Sequence, residues 1–176
     1  MSEAVRNLRI GHGYDLHRLE PIASALVLAV KPLVLGGVRM EHDRGLVAHS
    51  DGDALFHAVT DAVLSAAGLE DIGQLFSDTD PANKSADSMV FLQAAAQRVR
   101  AAGFEIVNVD ATVILERPKL SPHKSAMRAN IALGLGVDVD AVNVKGKTHE
   151  KVDAVGEGRA VEVHAVALLV RVGRVD

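Results

Sequence analysis

The chain contains no cysteine and no tryptophan, and aromatic residues make up only 3% of it. Without cysteine there is no disulfide framework and no thiolate metal site, so any metal must be held by histidine and carboxylate. With so few rings, the core is expected to be built from Val, Leu, Ile and Ala. Charge of one sign is lacking too: 19 basic residues face 23 acidic ones, for a net charge of −4. That balance, with no basic block, excludes a general nucleic-acid surface. Long apolar runs are missing; Ile22 to Val30 is cut by Lys31-Pro32 and is too short to span a bilayer. Residues 1–9 carry Glu3, Arg6 and Arg9 and no apolar stretch, so no secretory signal is expected. The expectation is a soluble, intracellular chain with neither nucleic acid nor membrane as partner. At 176 residues it should form one domain over 1–176, with 1–8 as a flexible N-terminus.

Two short pieces carry most of the chemistry: Asp15-Leu16-His17, and His49-Ser50-Asp51-Gly52-Asp53 leading to His57. On a strand, residues two apart point to the same face, so Asp15 and His17 can share one ion. His57 falls on the helix expected to follow Asp51. One carboxylate and two imidazoles, with a position left open, is how zinc is held for chemistry. The ordinary alternative, solvated or core histidines, stays open on spacing alone.

Arg9 to Tyr14 reads as a first strand, with Gly11 and Gly13 permitting close backbone approach. Glu20 to Pro32 reads as an excursion, and Leu33 to Met40 as β structure broken by a bulge or tight turn at Gly36-Gly37. From Asp51 to Ala67, Leu55, Val59, Ala62, Val63 and Ala66 recur at helical spacing, with Ser50 or Asp51 as N-cap and Gly68 as stop. Asp53, His57 and Asp61 share the opposite stripe, where the two carboxylates offer themselves as acceptors for His57. Asp71 to Gly73 and Ser77 to Pro81 read as turns, and Ser85 to Ala102 as a second helix. In the strand Ile106 to Glu116, Val107, Val109, Ala111, Val113 and Leu115 are placed on one face. Ser121-Pro122 opens a third helix running to about Leu133, and Val142 to Lys145 and Val161 to Val172 are the last strands.

In the last strand Val163, Ala165, Ala167 and Leu169 fill one face, while Val166, Leu168 and Val170 fill the other. A strand apolar on both faces is covered on both. Three helices cover one face, and the other calls for a partner subunit. The expected architecture is therefore α+β: a mixed β-sheet with helices packed on one face and the other face buried in a homo-oligomer.

His49-Ser50 stands before the expected helix, where free N–H groups and the helix dipole favour an anion. Lys145-Gly146-Lys147-Thr148-His149-Glu150-Lys151 follows a strand and mixes phosphate donors with one carboxylate able to hold Mg²⁺.

Taken together, Arg9-Ile10-Gly11-His12-Gly13-Tyr14-Asp15-Leu16-His17, A-H-S-D-G-D with His57, D-I-G at Asp71 to Gly73, D-T-D-P at Asp78 to Pro81, R-P-K at Arg117 to Lys119 and K-T-H-E-K at Lys147 to Lys151 form one ordered set. From about Arg9 to Val170 the chain resembles the 2-C-methyl-D-erythritol 2,4-cyclodiphosphate synthase family. That resemblance implies conversion of 4-diphosphocytidyl-2-C-methyl-D-erythritol 2-phosphate into the cyclic diphosphate with release of CMP, in the non-mevalonate route to isoprenoids. It implies Asp15, His17 and His57 as zinc ligands, with Asp15 and His17 also near the substrate. His49 and Thr148 would be the catalytic donors, and Ser50 would contact phosphate. Asp71, Ile72 and Gly73 would hold the methylerythritol hydroxyls. Leu115 to Ser121, including Pro118 and Lys119, would form the cytidine pocket, with Lys147 nearby. Glu150 would serve a second divalent ion, Mg²⁺ or Mn²⁺. The family's homotrimer, with active sites between subunits, fits the reading of the last strand. The site of action would be the cytoplasm, or the plastid stroma for a processed plant-type chain.

The chain departs from the common bacterial pattern at Gly146 to Lys151, at Glu157-Gly158-Arg159 where Arg-Gly-Glu is frequent, at Ala154 and at Asn83; several of these forms look closer to plant-type members. Two other readings remain: a mononuclear zinc phosphohydrolase using the same ligands, and a non-enzymatic trimeric module binding a small ligand around Asp110, Glu162 and His164.

Overall fold

Among the described residues the chain forms eight strands and five α-helices, the helices falling between the fifth and the last strand. The computed structural model describes residues 7–23, 30–48, 51–76 and 86–172. The strands are β1 (Leu8–Pro21), β2 (Val30–Lys31), β3 (Leu33–Leu35), β4 (Val38–Met40), β5 (Arg44–Val47), β6 (Phe104–Ile114), β7 (Val142–Lys147) and β8 (Ala160–Arg171). The helices are α1 (Ala54–Ala67), α2 (Ile72–Leu75), α3 (Ser88–Ala101), α4 (Lys124–Leu135) and α5 (Asp153–Gly156). Six strands form one sheet in the order β2-β5-β1-β8-β6-β7. The β6–β7 pair is parallel and the others are antiparallel, so the sheet is mixed as expected.

β1 is longer than the expected Arg9–Tyr14. It pairs with β8 from Leu8↔Val170 to Arg18↔Ala160, so Asp15 and His17 lie within the strand. Leu8 is thus part of the sheet rather than of a flexible terminus; residues 1–6 lie outside the described residues, as do 24–29 of the expected excursion. Gly11, Gly13 and Leu19 alternate toward the buried face of β1. The close approach that the two glycines permit is to α1: a Cβ at Gly13 would overlap the Ala58 carbonyl oxygen, and one at Gly11 that of Ala62.

α1 is apolar nearly all round, with Leu55, Phe56, Val59, Ala62, Val63 and Leu64 buried. It is the central helix, packed on the sheet and on α3. Its start differs from expectation. The N-cap is Asp53, fully buried, whose carboxylate accepts from Leu55 and Phe56 N–H at 3.1 and 3.0 Å. The same carboxylate accepts from Gly36 and Gly37 N–H at 2.8 and 2.7 Å. Gly36-Gly37 is the two-residue turn of the β3–β4 hairpin, with φ of +58° and +68°. Two positive values in succession suit glycine and match the strand twist. Asp53 therefore ties a hairpin to a helix and does not join a solvated stripe.

Other expectations shift for local reasons. A register irregularity between Ile106 and Asn108 turns Val107 out to 43% exposure, while Ile106, Val109, Ala111 and Val113 face the core. Asp71 caps a short helix, α2, by accepting from Gln74 N–H at 2.9 Å, where a turn was expected. α3 begins at Ser88, capped by Asp87, rather than at Ser85. Ser121-Pro122 forms a turn, and α4 starts at Lys124 and runs to Leu135. β7 continues two residues beyond Lys145.

One core joins the sheet and the helices. On β8, Val163, Ala165, Ala167 and Leu169 are buried against the helices. The outer face carries exposed apolar residues instead: Leu8, Ile10, Tyr14 and Leu16 of β1, Val107 of β6 and Val166 of β8, with Ile10 73% exposed. Among the described residues no helix is long and apolar enough to cross a membrane.

Candidate active site

Asp15 and His17 project from the buried side of β1 toward α1, and His57 meets them from the first turn of that helix. One donor atom from each lies within 4.8 Å of the others, and among the described residues this is the one such His/carboxylate group. Asp15 Oδ2 is 3.0 Å from His57 Nδ1 and 3.3 Å from His17 Nε2. The three side chains are largely buried, between 14% and 22% exposed.

The hydrogen bonds show how the three side chains are held. His57 Nε2 lies 2.8 Å from Ser88 Oγ, and Ser88 Oγ donates to Asp51 in a short contact. Asp51 also accepts from Ser88 N–H at 2.9 Å. With its hydroxyl proton committed to Asp51, Ser88 Oγ accepts from His57 Nε2–H. His57 Nδ1 in turn lies 3.0 Å from Asp15 Oδ2, in a hydrogen bond whose place an ion between the two would take. His17 Nε2 is buried and has no hydrogen-bond partner, its approach to Asp15 being badly angled for one. An orphaned imidazole nitrogen and a second imidazole nitrogen, both within 3.3 Å of one carboxylate oxygen, fit a divalent ion that displaces the shared proton.

The electrostatics agree. Burial pushes the Asp15 carboxyl up, but the His57 hydrogen bond, the charges of His17 and His57 and the Leu16 N–H together hold it below its ordinary value. Burial depresses His17; Asp15 opposes this and His57 reinforces it, and the net shift is downward. Burial also disfavours charged His57, yet hydrogen bonding and charge from Asp15, with Asp53 and Asp51, raise it overall. The cluster is thus a partly dehydrated seat in which Asp15 is held ionised, His17 is pushed toward its neutral form and His57 toward its charged form.

The acceptors expected for His57 on its own helix are elsewhere engaged. Asp53 is the α1 cap, and Asp61 accepts from Ile72 N–H at 2.8 Å. That bond ties the start of α2, with its cap Asp71, to α1. Burial, with the nearby charges of Asp71 and Asp15, raises the Asp61 carboxyl against the pull of the Ile72 N–H and His57. Ser88 was not legible in the sequence; a serine at a helix start signals only a cap. His49, Ser50 and Asp78 to Pro81 lie outside the described residues. The expected anion seat loses part of its basis, because α1 begins at Ala54 and the Leu55 and Phe56 N–H groups are taken by Asp53.

A second group gathers at the far side of the sheet. Leu115, Pro118, Lys119, Lys147, Thr148 and Glu150 line one cavity of about 390 Å³, with Glu116, Leu120, Ser121, Lys124 and Gly146. Leu115 N–H donates to Lys147 C=O at 3.0 Å, which holds the two segments together. The structure thus brings the expected cytidine-side and Thr148-side residues to one place. It does not bring them to the His/Asp cluster. Asp15 pairs with Val163, Val163 with Val113 and Val113 with Gly146. Three strand spacings separate the two rows by roughly 14 Å.

Comparison with known proteins gives a consistent picture. The model of the YgbB family matches residues 8–170. The chloroplastic 2-C-methyl-D-erythritol 2,4-cyclodiphosphate synthase of Catharanthus roseus is 53% identical over 167 residues, covering 95% of this chain and 67% of that protein. Among solved structures, the bifunctional IspDF of Campylobacter jejuni aligns with a TM-score of 0.85 at 41% identity, covering 93% of this chain; the chain spans 42% of the length of that protein. The CDP complex of Plasmodium falciparum IspF aligns with a TM-score of 0.79 at 34% identity, covering 95% of this chain and 98% of that one.

Proposed function

Because this chain belongs to the YgbB family, we propose that it converts 4-diphosphocytidyl-2-C-methyl-D-erythritol 2-phosphate into 2-C-methyl-D-erythritol 2,4-cyclodiphosphate and CMP. The observation that carries the reading is the Asp15–His17–His57 cluster, whose converging donors, with His17 Nε2 left without a hydrogen bond, suit an ion that binds a diphosphate. The classification is a cyclising phosphorus–oxygen lyase of isoprenoid precursor synthesis. The ion is assigned as Zn²⁺, one per chain, since an Asp/His₂ donor set with an open position is a zinc set. When bound, it supplies Lewis acidity and a template for diphosphate oxygens.

The protein's own residues do the rest. A 2-phosphate oxygen attacks the β-phosphorus of the same molecule; the new P–O bond forms as the bond to the CMP oxygen breaks. The nucleophile is internal, so the main task is to fold the substrate and hold it in line. Pro118 and Lys119 lie on the segment assigned to the cytidine moiety, and Asp71, Ile72 and Gly73 to the methylerythritol hydroxyls. Thr148, with His49 and Ser50, donates to the phosphate oxygens as their charge rearranges. Lys147 adds positive charge, and Glu150 is assigned to a second ion, Mg²⁺ or Mn²⁺, on the diphosphate.

The assembly is assigned as a homotrimer with active sites between subunits, each subunit a single domain. Two features support it: the exposed apolar outer face of β1 and β8, and the roughly 14 Å of sheet between the two halves within one chain, too far for one phosphoryl group to touch both. Phosphorus NMR after incubation with the diphosphocytidyl substrate is the test. CMP and a cyclic diphosphate in equal amounts are expected; an acyclic phosphate carrying solvent oxygen would instead identify a zinc hydrolase.

A further inference from the structure

The segment between β7 and α5 carries an inference that rests on the reading of Thr148 and Glu150 as site residues. Glu150, Lys151 and Asp153 have φ of +51°, +67° and +63°. In that region a Cβ crowds the following carbonyl, so side-chain-bearing residues rarely enter it. Glu150 and Lys151 are the central pair of a turn closed by the Val152 N–H, which donates to His149 C=O at 2.8 Å. Two positive φ values in a closed turn are the type I′ pattern, normally filled by Gly, Asn or Asp. Such a turn persists without them only where its surroundings over-determine it.

Here the surroundings converge on Asp153. Its Oδ1 accepts from Val155 N–H at 2.8 Å and from Gly156 N–H at 3.2 Å. Its Oδ2 faces His149 Nδ1 at 2.9 Å, across the mouth of the turn. Gly156 presses on the turn from behind: a Cβ there would stand 2.7–2.9 Å from the Lys151 backbone. Upstream, the Lys147 carbonyl is held by Leu115 N–H at 3.0 Å. The residues between these two anchors include Thr148 and Glu150, which line the cavity; Asp153 does not.

We propose that Asp153 is a positioning residue: its carboxylate clamps the strained Glu150-Lys151 turn and thereby sets Thr148 and Glu150 against the transferring phosphoryl group. The clamp works through acceptance of two N–H bonds at a left-handed residue. Asparagine reproduces both properties, alanine neither, and glycine only the backbone conformation.

The test compares wild type with Asp153→Ala, Asp153→Asn and Asp153→Gly in steady-state CMP release and in limited digestion with trypsin, mapped at Lys147 and Lys151. Asp153→Ala and Asp153→Gly should lose at least about tenfold in kcat with KM changed less than about threefold, while Asp153→Asn stays within about threefold of wild type. Cleavage after Lys151 should quicken in the Ala and Gly variants and not in the Asn variant, with digestion elsewhere unchanged. Asp153→Ala within about twofold of wild type in kcat, or Asp153→Asn as impaired as Asp153→Ala, would overturn the clamp. Should wild type release no CMP, the functional reading fails by itself. The digestion then decides alone: equal cleavage after Lys151 in wild type, Asp153→Ala and Asp153→Gly overturns the clamp.

Discussion

Gly13 of β1 lies against the Ala58 carbonyl of α1 so closely that no side chain fits between them. This contact brings the strand bearing Asp15 and His17 within ligating reach of the helix bearing His57. Backbone cannot yield as a flexible side chain does. Gly13→Ala should therefore destabilise the chain by roughly 3 kcal/mol or more, at the top of the range for overpacking. Urea unfolding measures it, and a loss below about 1 kcal/mol would show that α1 can shift without cost.

His57→Ala should abolish tight binding of the one metal equivalent while the fold survives, because the ring fills no core position of α1. Ser88→Ala tests the finer point. Removing the acceptor of His57 Nε2–H should weaken metal affinity by roughly 10- to 100-fold without removing a ligand. Competition with a chelator gives both numbers. Unchanged affinity in Ser88→Ala would mean that the ring is oriented by packing alone.

Asp15→Asn and Thr148→Ala proteins, each nearly inactive, should complement when unfolded together and reassembled. In random trimers of equal parts, about a quarter of the interfaces join an intact metal half to an intact Thr148 half. Activity approaching that fraction of wild type is expected. Mixed trimers no more active than the mean of the parents would place both halves in one chain.

The Gly156 N–H, followed by the other groups around Asp153, holds its carboxyl below the ordinary carboxylate value. A group whose folded pKa is depressed stabilises the fold above its unfolded pKa and loses that contribution as pH falls through the folded value. The Tm difference between wild type and Asp153→Ala should thus shrink as pH falls below about 4. A difference that persists unchanged at pH 2 would mean that ionisation of the carboxylate adds nothing to its hold.

The sequence by itself picked out the His/Asp cluster and the broad architecture. Asp15 and His17 are two apart, a strand places them together whatever follows, and a cysteine-free chain must hold a metal by histidine and carboxylate. The apolar spacing of Leu55, Val59, Ala62 and Val63 likewise marks a helix, because a repeat of 3.6 residues is a local property. The tertiary structure alone decided the partners. Asp53 reads as one member of a charged stripe until the Gly36-Gly37 turn, 16 to 17 residues away, brings two N–H groups to its carboxylate. Ser88 reads as a helix cap until α3 lays it behind His57, 31 residues distant. Val107 leaves the core through one irregularity in register, which no alternation of apolar residues reveals. The left-handed turn at Glu150 and Lys151 contradicts the preference of both residues and is held by Asp153 and Gly156. In each case a side chain's role depends on which distant backbone arrives beside it, and sequence spacing reports only on neighbours within a turn or two of the same element.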